Sequence, residues 1–126
     1  HGTPRRPADL AQHNCILARE RSHLNRWQFR VEGEISAIDV TGRIAVDEGE
    51  LQMQLALQGL GIVRLTRLTV AQAVRAGALV TLLPEFSADE PVAIHAVYPH
   101  RRHLAPRVTA FVNFLIEKFT PPPWEI

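Results

Sequence analysis

The chain has 126 residues, 46% of them hydrophobic and 21% charged, with a formal net charge of +1. That length supports one domain with a real hydrophobic core, and the composition is ordinary for a globular fold. Arg5, Arg19, Arg43, Arg64, Arg75 and Arg107 are scattered, which excludes a basic surface massed for nucleic acid, and the lone Cys15 excludes an internal disulfide.

Cys15 lies in the apolar run Cys15-Ile16-Leu17, where a small buried hydrophobe is expected. A single thiol suits a reducing, cytoplasmic setting. No apolar run reaches membrane-spanning length, and no signal peptide is visible. The opening His1-Gly2-Thr3-Pro4 reads like a mid-protein loop, so the sequence is expected to be a fragment.

Strand and helix character alternate along the chain. Residues 7–12 read as one helical turn led by proline, and residues 13–17 as a short apolar strand. Polar residues 18–26 form a loop. Residues 27–31 alternate apolar with polar, as a half-buried strand does. Glu32-Gly33-Glu34 is a turn, residues 35–40 alternate again, Thr41-Gly42 offers a bend and residues 43–46 follow as a strand.

A helix is expected over residues 49–58, with Leu51, Leu55 and Gln58 on one face, Asp47 as its cap and Gly59 as its terminator. Residues 60–65 read as a strand. Thr69 and Gln72 match a capping box for a helix ended by Gly77. The apolar run 79–83 has the pattern of a strand buried on both faces. Residues 84–90 are a loop and residues 92–98 another strand. Leu104, Val108, Phe111, Val112, Leu115 and Phe119 carry the three-four spacing of an amphipathic helix, with Pro106 in its first turn and Thr120-Pro121-Pro122-Pro123 as its stop. Trp124-Glu125-Ile126 reads as a disordered or tag-like tail. Strands separated by helices imply an α/β sheet with crossover connections.

Several stretches together resemble the effector-binding domain of LysR-type transcriptional regulators. They are residues 7–16 with Trp27-Gln28-Phe29; Val40-Thr41-Gly42-Arg43-Ile44 leading to Asp47; Ala56-Leu57-Gln58-Gly59-Leu60-Gly61-Ile62; Gly77-Ala78-Leu79-Val80 with Leu82-Leu83; and Val97-Tyr98-Pro99, followed by Arg102-His103-Leu104, Pro106-Arg107-Val108 and Ala110-Phe111-Val112. Their order and spacing span nearly the whole chain. Two positions depart from the pattern: family members often carry proline at Thr66, and asparagine-aspartate where Val46-Asp47 stands here.

The resemblance implies an α/β lobe of the type II periplasmic-binding-protein-like fold, with a mixed sheet flanked by helices, as part of an incomplete two-lobed domain. Residues 1–99 would be the second lobe. Residues 100–120 would hold the hinge and a C-terminal helix belonging to the first lobe, and residues 121–126 a tail. The hinge would be Val97, Tyr98, Pro99 and His100. A small-molecule effector, a carboxylate or an aromatic acid, would sit between the lobes. Its closure would pass to a separate helix-turn-helix that alone touches DNA, in a protein that self-associates as dimer or tetramer and meets no membrane.

Two stretches are candidates for the ligand. The turn Asp47-Glu48-Gly49 ends a strand and opens a helix, where backbone donors can hold an anion; the alternative is that Asp47 simply caps the helix. At the end of the following strand stand Arg64, Leu65 and Thr66, where ligands of α/β sheets gather. Thr66 could hydrogen-bond a ligand and Arg64 or Arg67 could pair with its carboxylate, although either arginine alone also fits solvated surface.

Catalytic and metal motifs are not found. His1, His13, His23, His95, His100 and His103 lack the partners of a zinc site. Ser22, Ser36 and Ser87 stand outside any nucleophile elbow, and Gly59-Leu60-Gly61 enters a strand rather than leaving one. The expectation is therefore a sensor with no cofactor, metal or enzymatic activity. The readings set against it are a lobe of a periplasmic solute receptor and a small α/β enzyme using Asp47, Glu48 or a histidine.

Overall fold

The structure is a computed structural model that describes residues 2–88, 94–98 and 105–125. Its centre is the short strand β1 (Ile16–Leu17), which pairs in parallel with β4 (Ile44–Ala45). On the other side of β1, Cys15 makes a parallel bridge to Ile62, and Ile16 N–H donates to Ile62 O at 2.8 Å. Only this bridge forms where residues 60–65 were expected to be a strand. The antiparallel hairpin β2 (Arg26–Val31) and β3 (Glu34–Asp39) lies beside this sheet, closed by Glu32 and Gly33 at φ 51° and 85°. Those two left-handed residues are the geometry of a two-residue hairpin turn.

Three helices complete the described chain: α1 (Gly49–Leu57), α2 (Arg67–Arg75) and α3 (Pro106–Lys118). Short 3-10 helices cover Pro7–Gln12, Ser22–Asn25 and Pro84–Phe86. The first matches its sequence reading, and the second falls inside the expected loop. Helix α1 carries the chain from β4 over β1 to Ile62, so β4, β1 and the Ile62 segment all run the same way.

Burial follows the alternation of β2, where Trp27 is buried, Phe29 and Val31 are half-buried, and Arg26, Gln28 and Arg30 face solvent. Trp27 joins Leu10, Cys15, Val40 and Leu83 in the core, with Leu17, Phe29, Ile38, Ile62, Leu82 and Phe86 packed against them. Cys15 is fully enclosed, and burial pushes its thiol up to about 11.

The backbones around β1 meet so closely that two positions must be glycine. A Cβ on Gly42 would overlap the carbonyl oxygen of Cys15, and one on Gly61 would lie 2.6 Å from that of Asn14. Asn14 itself braces both neighbours at this end: its amide donates to Leu60 O and its oxygen accepts Arg43 N–H at 2.8 Å.

Several expectations need correction. The N-cap of α1 is Glu48, not Asp47, and its inner face carries Gln52 rather than Leu51, which is exposed. Helix α2 starts earlier than its supposed capping box: Thr66 is the N-cap, and Thr69 sits inside the first turn with its hydroxyl 3.0 Å from that of Thr66. The run 79–83 is not a strand. The N–H groups of Ala78 and Leu79 are taken by Ala73 O at the end of α2, Val80 is 76% exposed, and Leu83 turns left-handed (φ 55°) into Pro84.

Of the expected strand 92–98, residues 94–98 carry no regular structure and Val97 is 93% exposed; residues 92 and 93 lie outside the described residues. The tail is not loose at residues 124 and 125. Trp124 packs on Phe119 with ring centroids 5.6 Å apart, and the Arg75 guanidinium donates to the carbonyls of Pro123 and Glu125. An apolar ring pair and a forked cation hold what looked like a proline-rich overhang.

Candidate functional site

Because β1, β4 and the Ile62 segment are parallel, their carboxyl ends open on one side and deliver three loops there: residues 18–21, 46–48 and 63–66. Ligands of open α/β sheets bind outside such ends. Both α1 and α2 begin from these loops, so their N-terminal N–H groups start at this edge.

Asp47, Glu48 and Gly49 stand at the β4–α1 junction as expected. The Asp47 carboxylate, however, neither caps the helix nor stands open. It accepts the N–H groups of Arg19 at 3.0 Å and of Glu20 at 3.0 and 3.2 Å. These bonds, the Glu20 N–H first, hold its carboxyl below the ordinary 3.8, with the Arg19 charge adding to the effect. The lowered value means that the stabilisation is present above 3.8 and is lost as pH falls through the lowered value. Glu48 is exposed and makes no side-chain cap bond.

Arg64, Leu65 and Thr66 follow the Ile62 bridge. A Cβ on Gly49 would meet Leu65 Cδ2 at 3.5 Å, so the fold brings the two candidate stretches side by side. Thr66 and Arg64 are exposed, and Leu65 is half-buried. Of the hinge candidates, Val97 is exposed and Tyr98 half-buried, while Pro99 and His100 lie outside the described residues, as does the cluster Arg101-Arg102-His103.

Sequence reasoning missed Gln52. It is the buried polar residue of α1, and its Nε2 donates to Val46 O at 2.6 Å and Leu17 O at 3.4 Å. One side chain thus ties the carboxyl ends of two adjacent parallel strands to the helix above them. The available signal was helical: Gln52 shares a face with Leu55 and Ala56, both half-buried. Gln52→Ala is expected to cost about 1–3 kcal/mol, because Val46 O loses this donor, whereas Leu17 O keeps the N–H of Val46. Urea unfolding of the variant checks this.

Among the described residues no group of three or more His, Cys, Asp or Glu is placed to hold a metal, and no helix is long and apolar enough to cross a membrane. One surface groove of about 250 Å³ is lined by Arg6, Pro7, Ala8, Val31, Ser36, Ile38 and Phe86, and another of about 230 Å³ by Phe114, Glu117 and Lys118. Neither includes the strand-end residues.

Comparison with known proteins places this geometry. The model of the LysR substrate binding domain matches residues 1–120. The chain is 32% identical over 119 residues to the "Probable HTH-type transcriptional regulator LtrA" of Klebsiella pneumoniae, covering 93% of this chain and 38% of that protein. It is 34% identical over 120 residues to the HTH-type transcriptional regulator DmlR of Escherichia coli, covering 94% and 38%. Among solved structures, CrgA, a LysR-type transcriptional regulator from Neisseria meningitidis, superimposes with a TM-score of 0.80 at 30% identity, covering 94% of this chain and 40% of that one. The chain therefore spans about two fifths of the length of the proteins it matches. The type II periplasmic-binding-protein-like lobe is the fold these matches share. The chain belongs to the LysR substrate-binding domain family.

Proposed function

We propose that this chain is the effector-sensing portion of a bacterial LysR-type transcriptional regulator working in the cytoplasm. A small carboxylate or aromatic acid binds at the strand ends, against Glu48, Gly49, Arg64, Leu65 and Thr66, and is closed over by a second lobe. Residues 1–99 form one lobe, the hinge runs through Val97, Tyr98, Pro99 and His100, and α3 belongs to the other lobe. Ligand shifts the balance of open and closed lobes, and so the geometry offered to DNA by a separate helix-turn-helix domain. The sensor needs no cofactor and catalyses nothing.

The observation that carries this reading is the family match across residues 1–120. It is supported by three loops meeting at the carboxyl ends of parallel strands. Thermal-shift screening of the regulator with its DNA-binding domain, against small carboxylates and aromatic acids, tests it. A compound that raises the melting temperature is expected also to change affinity for promoter DNA and to be recovered unaltered. Turnover of that compound, or no effect on DNA affinity, would refute the reading.

Self-association follows from α3. Phe111 and Phe114, three residues apart on α3, are each more than half exposed, and their rings stack with centroids 6.5 Å apart. Such a face on one helix favours association. The chain alone is expected to elute from size exclusion as a dimer or larger, and Phe111→Ser with Phe114→Ser to shift it to monomer. A clean monomer for the unaltered chain would count against this.

A further inference from the structure

We propose that Asp47 is a positioning residue for the effector site: its carboxylate and its main-chain carbonyl lock residues 18–21 onto the β4–α1 turn. Arg21 then stands fixed at the strand ends before any ligand arrives. The role assigned to Arg21 rests on the effector reading above; the lock itself does not.

The lock is reciprocal. Going one way, the Asp47 carboxylate takes the N–H groups of Arg19 and Glu20. Going the other, Arg21 Nη2 donates to Asp47 O at 2.8 Å. The near end of the loop is pinned as well: Ala18 N–H donates to Asn25 Oδ1 at 2.7 Å, and Asn25 Nδ2 returns a bond to Ala18 O at 2.9 Å. A four-residue loop after β1 is thus held at both ends, by residues seven and about 27 positions away in sequence.

Charge explains why an acid occupies this place. An open carboxylate beside an anionic ligand would repel it. Here the oxygens are turned onto the backbone N–H groups of Arg19 and Glu20, whose partial positive charges offset part of the field of the carboxylate. What the loop presents instead is an exposed arginine, the side chain suited to forked pairing with a carboxylate. Fixing that arginine beforehand lowers the ordering cost paid at binding.

Hydrogen exchange by NMR on the ligand-free regulator tests the lock. In Asp47→Ala the amides of Arg19 and Glu20 are expected to exchange about tenfold faster or more, as loss of a bond to a charged acceptor implies. The guanidinium signals of Arg21 are expected to average to those of a freely rotating side chain, even though its own acceptor, the backbone carbonyl of residue 47, is untouched. Asp47→Asn keeps one acceptor oxygen and is expected to restore part of both effects. Cys15 and Ile16 amides, bonded to Thr41 and Ile62, are expected to keep their protection.

Unchanged exchange at Arg19 and Glu20 in Asp47→Ala would overturn the proposal, and so would an equal loss at Cys15 and Ile16 in Asp47→Asn, since that marks a role in the whole fold. If alanine prevents folding, asparagine decides alone: faster exchange at Arg19 or Glu20 with Cys15 protected supports the lock, and no change at either removes it. No ligand enters the experiment. Unchanged exchange in the variants therefore defeats the lock and leaves the effector reading intact, while a failed ligand screen defeats the effector reading and leaves the lock.

Discussion

Gly42→Ala is expected to destabilise the fold by about 4 kcal/mol or more, in the range reserved for severe steric or core defects. The added Cβ would overlap the carbonyl oxygen of Cys15 and lie 2.8 Å from its carbonyl carbon. Both atoms are backbone, so no rotamer change relieves the clash. The strand that would have to move is β1, which is bonded on both sides, through Cys15 N–H to Thr41 O and Ile16 N–H to Ile62 O. Shifting it opens the ladder on one side or the other. Gly49→Ala is the control. Its Cβ meets Leu65 Cδ2 at an ordinary 3.5 Å in the first turn of α1, so a change of about 1 kcal/mol or less is expected. Paired urea melts separate the two. A Gly42→Ala midpoint equal to that of Gly49→Ala would show that β1 does not pass so close to residue 42.

Trp27→Ala is expected to cost about 3–5 kcal/mol, the usual loss for a large aromatic removed from a core. Trp27 is 5% exposed and belongs to the same cluster as Leu10, Cys15, Val40 and Leu83. It is the bridge between the two small sheets, since it stands on the hairpin while Cys15 stands on the parallel sheet. Among the described residues neither sheet has more than two paired strands plus a single bridge, so each depends on that shared packing. Ile35→Ala, on the exposed side of the hairpin, is expected to change stability by about 0.5 kcal/mol or less. Urea unfolding checks both, and similar midpoints for the two variants would place the core elsewhere. Native domains hold only about 5–15 kcal/mol in reserve, so either large loss removes a substantial share of it.

Local chemistry was the legible part of the fold. The hairpin showed itself by alternation around Glu32-Gly33, α1 by its length between β4 and Gly59, and α3 by its apolar spacing and its proline boundaries. Those signals depend on neighbours a few residues apart. The run 79–83 misled because an apolar stretch reads as a buried strand only when another strand lies beside it. Here Ala73 O takes the N–H groups of Ala78 and Leu79 instead, and Val80 is left in solvent. Residues 60–65 shrank to one bridge for a related reason: the partner strand β1 is itself only two residues long.

For the candidate site, position was legible and bonding was not. The two stretches 47–49 and 64–66 do meet, at Gly49 and Leu65. What Asp47 does could not be read from sequence, because its partners Arg19 and Glu20 lie nearly thirty residues away with no periodic relation to it. Gln52 was overlooked for the opposite reason: a glutamine in a helix looks like surface until its face is compared with Leu55 and Ala56.

The most direct measurement is amide NMR of the regulator during titration with an acid that stabilises it in the thermal screen. Ligand contact at the strand ends predicts that shift changes concentrate at Gly49, Arg64, Leu65 and Thr66. Shift changes confined to the groove of Arg6, Val31, Ser36 and Phe86, with residues 47–49 and 64–66 silent, would contradict it.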